Sequence, residues 1–104
     1  MLDFLTASTQ TQLVALCQQW QIVELAVFGS ALRADFRPDS DIDVLVNFHP
    51  GARHTLFDLV TLQAALEQLF ERKVDLLERS AVEQSRNPIR RQAILQSAQV
   101  IYAA

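Results

Sequence analysis

Two apolar, β-branched runs separated by a charged interval constrain this chain more than any other feature. Ile22 to Phe28 is rich in strand-forming residues and stops at Gly29, a natural place for a buried strand to turn. Asp41 to Phe48 (D-I-D-V-L-V-N-F) reads as a second strand. Between them, Ser30 to Ser40 carries Arg33, Asp35, Arg37, Asp39 and Pro38, so it is no buried strand, although Ser30 can open a short helix there. Lys73 to Glu78 (K-V-D-L-L-E) is short, apolar in the middle and bounded by charge, which fits a third strand.

The remaining segments have helical periodicity. Thr9 and Gln12 have capping-box spacing, and Leu13, Leu16, Cys17 and Trp20 follow at i, i+3, i+4 and i+7, which predicts a helix over 9–20. Thr55, after the His49-Pro50-Gly51 break, is placed to cap a helix with the stripe Leu59, Leu62, Leu66, Leu69 and Phe70, ending near Arg72. Asn87 before Pro88 is an N-cap with proline at the first helical position, and the helix it opens is expected to run to about Tyr102. The predicted order is helix, strand, loop with a short helix, strand, helix, strand, helix.

At 104 residues the chain fits one domain, 1–104, and half of its residues are apolar. Nine basic against 12 acidic residues give a net charge of −3, which disfavours direct nucleic-acid binding through phosphate contacts. The single Cys17 cannot form an internal disulfide, and no zinc-ligand spacing is present. The N-terminus lacks a basic start with a long apolar run, and no stretch approaches the ~20 apolar residues of a membrane span. The expectation is a soluble, cytoplasmic protein with no membrane association.

The chemistry lies in Phe28-Gly29-Ser30, ten residues, then Asp41-Ile42-Asp43 entering Val44-Leu45-Val46. In a strand, i and i+2 share a side, so Asp41 and Asp43 present two carboxylates together while Ile42 and Val44 face the core. A D-x-D alone is weakly specific, since aspartates often sit solvated at a strand's start. Gly29-Ser30 adds a second feature, because glycine lets backbone approach a phosphate and a serine opening a helix offers its hydroxyl and N–H groups to an anion. Hard divalent cations take such carboxylate oxygens and complete their shell with water and substrate phosphate. Asp75, between Val74 and Leu76, joins the cluster if the third strand lies beside the second. It would then help hold a second metal or act as general base on an attacking hydroxyl.

Gly29-Ser30-x10-Asp41-x-Asp43 with the later Asp75 resembles the DNA polymerase beta-like nucleotidyltransferase superfamily, specifically its minimal nucleotidyltransferase (MNT) branch. The resemblance extends from the first helix to Asn87-Pro88-Ile89-Arg90 and Val100-Ile101-Tyr102. It implies an α/β (α+β) fold with a three-stranded mixed sheet flanked by about four helices. It also implies ATP as substrate, Mg²⁺ as cofactor, Asp41, Asp43 and Asp75 as metal ligands and catalytic residues, and Gly29 and Ser30 at the triphosphate. MNT proteins are commonly partners of HEPN-domain ribonuclease toxins, and members of the branch neutralise the toxin by transferring AMP to a tyrosine, which implies an antitoxin. Where the family often reads Gly-Ser-Arg-Ala-Arg-Gly, this chain has Gly29-Ser30-Ala31-Leu32-Arg33-Ala34, retaining Arg33.

Arg33, and less so Arg37, can reach a phosphate in bidentate fashion from the loop between the two halves of the motif. Arg86, Arg90 and Arg91 surround the start of the last helix, either as a solvated basic face or as a contact for triphosphate or an acidic partner. His49 and His54 are most simply loop residues, and Cys17 belongs to the core stripe. Phe57 falls outside the main stripe of its helix and leaves apolar surface exposed, which in an antitoxin would be toxin-docking surface. Two further functions remain open. One is an antitoxin that blocks its toxin sterically without catalysis. The other is a nucleotidyltransferase acting on a small molecule or an RNA end.

Overall fold

The computed structural model describes residues 5–29 and 41–104. The chain runs α1 (Ala7–Gln19), β1 (Ile22–Phe28), β2 (Ile42–Phe48), α2 (Leu56–Phe70), β3 (Val74–Glu78), α3 (Arg79–Glu83), α4 (Pro88–Ser97) and β4 (Gln99–Ala103). The strands form one mixed sheet in the order β3-β2-β1-β4. β1 pairs antiparallel with β2 and β4, and β2 pairs parallel with β3. No helix among the described residues is long and apolar enough to cross a membrane.

Three expectations from the sequence are corrected here. The sheet has four strands rather than three, because the last helix stops at Ser97 and Gln99–Ala103 pairs with β1 instead of continuing as helix to Tyr102. Val100, Ile101 and Tyr102 are strand formers, and pairing with β1 covers an edge that would otherwise be open. A short helix, α3, follows β3 directly and has no side-chain cap to mark it in the sequence. The first helix is capped by Thr6 rather than Thr9: the Thr9 N–H donates to Thr6 Oγ1 at 3.2 Å, so Thr9 is the third residue of the helix.

The other caps are as the sequence predicts. Thr55 and Asp58 form a reciprocal box at the start of α2, with the Asp58 N–H donating to Thr55 Oγ1 at 3.2 Å and the Thr55 N–H to Asp58 Oδ2 at 2.8 Å. Asn87 Oδ1 accepts from the N–H groups of Ile89 and Arg90, both at 3.1 Å.

Strand alternation divides the core between the sheet's two faces. On one face Leu13 and Cys17 of α1 and Leu62, Leu66 and Phe70 of α2 pack against Leu25, Val27, Ile42, Val44, Val46 and Val74. Each fully buried leucine there contributes roughly 1.5–3 kcal/mol of transfer free energy. On the other face a smaller cluster joins Ala26, Phe28 and Leu45 of the sheet to Val82 of α3 and Ile94 of α4.

Two hydrogen bonds set the start of β3 in place beside β2. The Val74 N–H donates to Glu67 Oε2 of α2 at 2.9 Å, and the Ile42 N–H donates to the Lys73 carbonyl at 2.9 Å. These bonds determine which residue of β3 stands next to Asp43.

Candidate functional site

The parallel register of β2 and β3 places Asp43 opposite Asp75. Paired residues of a parallel ladder project from the same side, so both carboxylates lie on the face that α3 and α4 cover, with Leu45 and Leu77 two residues further along. Asp43 is half-buried and Asp75 exposed. The condition set on Asp75 by the sequence, that its strand lie beside the second, is met.

Gly29 completes this corner. Its φ is +68°, a left-handed conformation that side-chain-bearing residues adopt at a cost, and a Cβ built on it would stand 2.5 Å from Asp43 Oδ2. The Gly29 backbone thus lies beside the Asp43 carboxylate, and any side chain at this position would be strained and would displace that carboxylate.

Asp41 is exposed and immediately precedes β2. Among the described residues no three His, Cys, Asp or Glu side chains converge closely enough to hold a metal, so the structure brings Asp43 and Asp75 together without gathering Asp41 into a finished three-ligand site. Ser30 and Arg33, the other predicted nucleotide-binding residues, lie outside the described residues, as does Arg37.

Neighbouring strands run ~4.8 Å apart, where two carboxylates repel by about 1 kcal/mol in water and about 3 kcal/mol at an effective dielectric of ~20. A cation offsets that repulsion. The donors are all hard oxygens, with Asp43 and Asp75 on two strands held in fixed register. This set fits Mg²⁺, which takes one or two carboxylates and keeps the rest of its octahedron for water and phosphate.

No sequence motif marks what covers the rest of this face. α3 brings Arg79, whose Nη1 donates to Glu24 Oε1 of β1 at 2.7 Å, and Val82 onto the sheet. Between α3 and α4 lies a cavity of about 160 Å³ lined by Leu77, Val82, Ile94 and the two arginines Arg90 and Arg91. Arg86, by contrast, is exposed.

The histidines lie elsewhere. His54 Nε2 is 3.0 Å from the Trp20 carbonyl, and its ring packs against Phe48 at 4.4 Å and Trp20 at 5.5 Å between centroids. It is a structural residue that pins the entry to α2 onto the end of α1.

Similarity to known proteins agrees with this geometry. The family model described as "Nucleotidyltransferase domain" matches residues 10–101. The protein adenylyltransferase MntA of Thermococcus cleftensis is 34% identical over 65 residues, covering 62% of this chain and 64% of that protein, so the chain spans slightly less than two thirds of that curated relative's length. A solved structure described as a minimal nucleotidyltransferase superposes with a TM-score of 0.66 at 34% identity and covers 88% of both chains. A toxin–antitoxin structure with AMP-PNP has a TM-score of 0.68 at 15% identity, covering 91% of this chain and 73% of that one. A tri-AMPylated HEPN toxin in complex with its MNT antitoxin, from Shewanella oneidensis, has a TM-score of 0.60 at 15% identity and covers 93% and 71%. At that identity the last two speak for the fold alone.

Proposed function

The chain belongs to the nucleotidyltransferase domain family, and from that premise we propose that it is a protein adenylyltransferase, the antitoxin of a toxin–antitoxin pair, that transfers AMP from ATP to a tyrosine of a HEPN-domain ribonuclease toxin in the cytoplasm. The observation that carries the proposal is the register of Asp43 with Asp75, closed on one side by the backbone of Gly29. A relative of known type is a protein adenylyltransferase, and structures of the same fold include one with AMP-PNP and one with an AMPylated HEPN toxin, which supports the nucleotide and the partner.

In the proposed transfer the acceptor hydroxyl oxygen forms a bond to the α-phosphorus of ATP. The bond from that phosphorus to the oxygen bridging to the β-phosphate breaks, and pyrophosphate leaves. Asp75, which reaches the site from a separate strand and is exposed, takes the hydroxyl proton. Asp43 and Asp41 serve the nucleotide side, next to the glycine that permits close approach of a phosphate. Ser30 and Arg33 complete the grip on the triphosphate in this reading. Asp41, Asp43 and Asp75 would hold Mg²⁺ in this reading, and the ion would supply charge neutralisation for the phosphates in an in-line displacement.

Incubating the chain with Mg²⁺, ATP labelled at the α-phosphate and a candidate HEPN-domain toxin tests the proposal. Label on the HEPN protein with release of pyrophosphate is expected, and Asp43→Asn abolishes it. A HEPN protein that is neutralised without acquiring label overturns catalysis in favour of steric binding.

A further inference from the structure

We infer that the outer face of α2 is a self-association surface, and that its occupant is a second copy of this chain laid antiparallel across it. Such a dimer stands or falls independently of AMP transfer, because α1 and α2 pack on the side of the sheet opposite to the one that carries Asp43 and Asp75.

The first two turns of α2 expose three large apolar side chains, Leu56 at 79%, Phe57 at 85% and Val60 at 67%. Val60 lies four and three residues on from the other two, so the three form one patch. Exposed apolar residues scattered singly are ordinary, whereas a contiguous patch marks a contact surface. The polar groups around it are already bonded within the chain. Thr61 Oγ1 donates to the Phe57 carbonyl at 3.0 Å, and the two carboxylates of α2, Asp58 and Glu67, accept from the N–H groups of Thr55 and Val74. α1, which packs beside α2, has no charged residue in Ala7–Gln19. Covering this layer therefore strands little charge away from water.

The order of residues along the face selects the occupant. Exposed Arg53 precedes the bulky patch, the small exposed Thr61 and Ala64 follow it, and exposed Glu71 closes the helix. Cation and bulk thus lie at one end, small side chains and a carboxylate at the other. Turned end for end about a two-fold axis near Val60 and Thr61, the helix complements itself. Leu56 and Phe57 come over Thr61 and Ala64 of the other copy, and Arg53 comes to its Gln68–Glu71 turn. A two-fold dimer requires such a self-complementary patch. The antiparallel arrangement also sets the two helix dipoles in opposition. A lipid surface instead selects a helix with lysine and arginine on its polar face, and Leu56–Phe70 contains neither. α2 has 15 residues and so is about 22 Å long. The neutral flank of α1 extends the contact toward the roughly 800 Å² per partner of a standard interface.

Sedimentation equilibrium of the full chain, from micromolar to submillimolar concentration, tests the dimer. A reversible monomer–dimer equilibrium is expected. Val60→Glu, which sets two carboxylates against each other at the axis, and Phe57→Glu each weaken it by about thirtyfold or more. Ile89→Glu, on α4 and 80% exposed, leaves it unchanged. Arg53→Glu and Glu71→Arg each weaken association by about three- to tenfold. An equimolar mixture of these two recovers wild-type affinity as a heterodimer, because across an antiparallel contact each altered residue meets its opposite charge. The mixture also holds the test open should either glutamate variant fail to fold. A chain that stays monomeric at every concentration overturns the inference, as does a mixture no tighter than its components. A chain that is monomeric alone and covers this face only with a HEPN-domain protein or with vesicles overturns the second copy as occupant.

Discussion

The two faces of the sheet are built to different specifications. Beneath α1 and α2, Leu13, Cys17, Leu25, Val27, Ile42, Val44, Val46, Leu62 and Leu66 are essentially closed to solvent, and the contacts are apolar, with Phe70 among them. Beneath α3 and α4 the cluster is smaller, its helical members Val82 and Ile94 keep 7% and 9% of their surface, and it is bordered by the Glu24–Arg79 ion pair and by Asp43 and Asp75. The same strands supply both, since β2 sends Ile42, Val44 and Val46 one way and Asp43 and Leu45 the other. A domain this small has one dry core to spend on stability, and the proposed chemistry occupies the face with the smaller buried cluster.

That asymmetry can be broken at several points. The largest effect is expected from Leu66→Ala, which empties a fully buried site under α2 and costs about 2–5 kcal/mol in denaturant unfolding, enough to leave much of the chain unfolded. A comparably large loss at Leu77, which is only half-buried, would contradict the division between faces.

On the dry face, burial pushes the Cys17 thiol up from 9.0 to about 12. A group whose folded pKa is raised contributes stability that is complete below its unfolded pKa and is lost as pH rises through the folded value. Unfolding free energy therefore falls between about pH 9 and pH 12, by at most ~1.4 kcal/mol per pH unit from this group, and Cys17→Ala has a shallower slope over that window. Equal slopes would show that the thiol is not sealed in.

At the boundary of the other face, Gly29→Ala forces a Cβ into a left-handed residue and against Asp43. It costs ~1–2 kcal/mol of stability, and it depresses AMP transfer further than that because the added carbon displaces a carboxylate of the site. The smallest effect is expected from Arg79→Ala, which removes the 2.7 Å pair with Glu24 from a partly exposed position. Double-mutant cycles should return at most about 1 kcal/mol.

Much of this was legible in the sequence because the dry face is repetitive. The apolar runs in Ile22–Phe28 and Val44-Leu45-Val46, and the stripe through Leu62, Leu66 and Phe70, report burial directly. The α2 and α4 caps are also local chemistry. The failures have physical causes of their own. β4 follows α4 after the single residue Ala98, with no Gly or Pro to mark the change, so the helical period runs on into Val100-Ile101-Tyr102; their β-branched and aromatic character was the available signal. α3 is five residues long and lacks a side-chain cap. Thr6, Ser8 and Thr9 all offer a capping hydroxyl, and the first turn of α1 carries no apolar stripe to choose between them.

The candidate site divides in the same way. The D-x-D and the Gly29-Ser30 turn were visible as local patterns, and the partnership of Asp43 with Asp75 was visible only on condition that β3 lie next to β2. The cavity was not visible at all, because it needs α3, which the sequence hides, to close over Leu77.

The central claim is that one face holds the fold and the other holds the chemistry, and the pair Asp43→Asn and Asp75→Asn tests it most directly. Each variant, and wild type, is measured for unfolding free energy in denaturant and for label transfer from α-labelled ATP to the proposed HEPN-domain acceptor. The account predicts unfolding free energies within about 1 kcal/mol of wild type for both, with transfer abolished in each and ATP affinity largely retained only in Asp75→Asn. Unfolding of either variant, or transfer that survives the loss of either carboxylate, would contradict it.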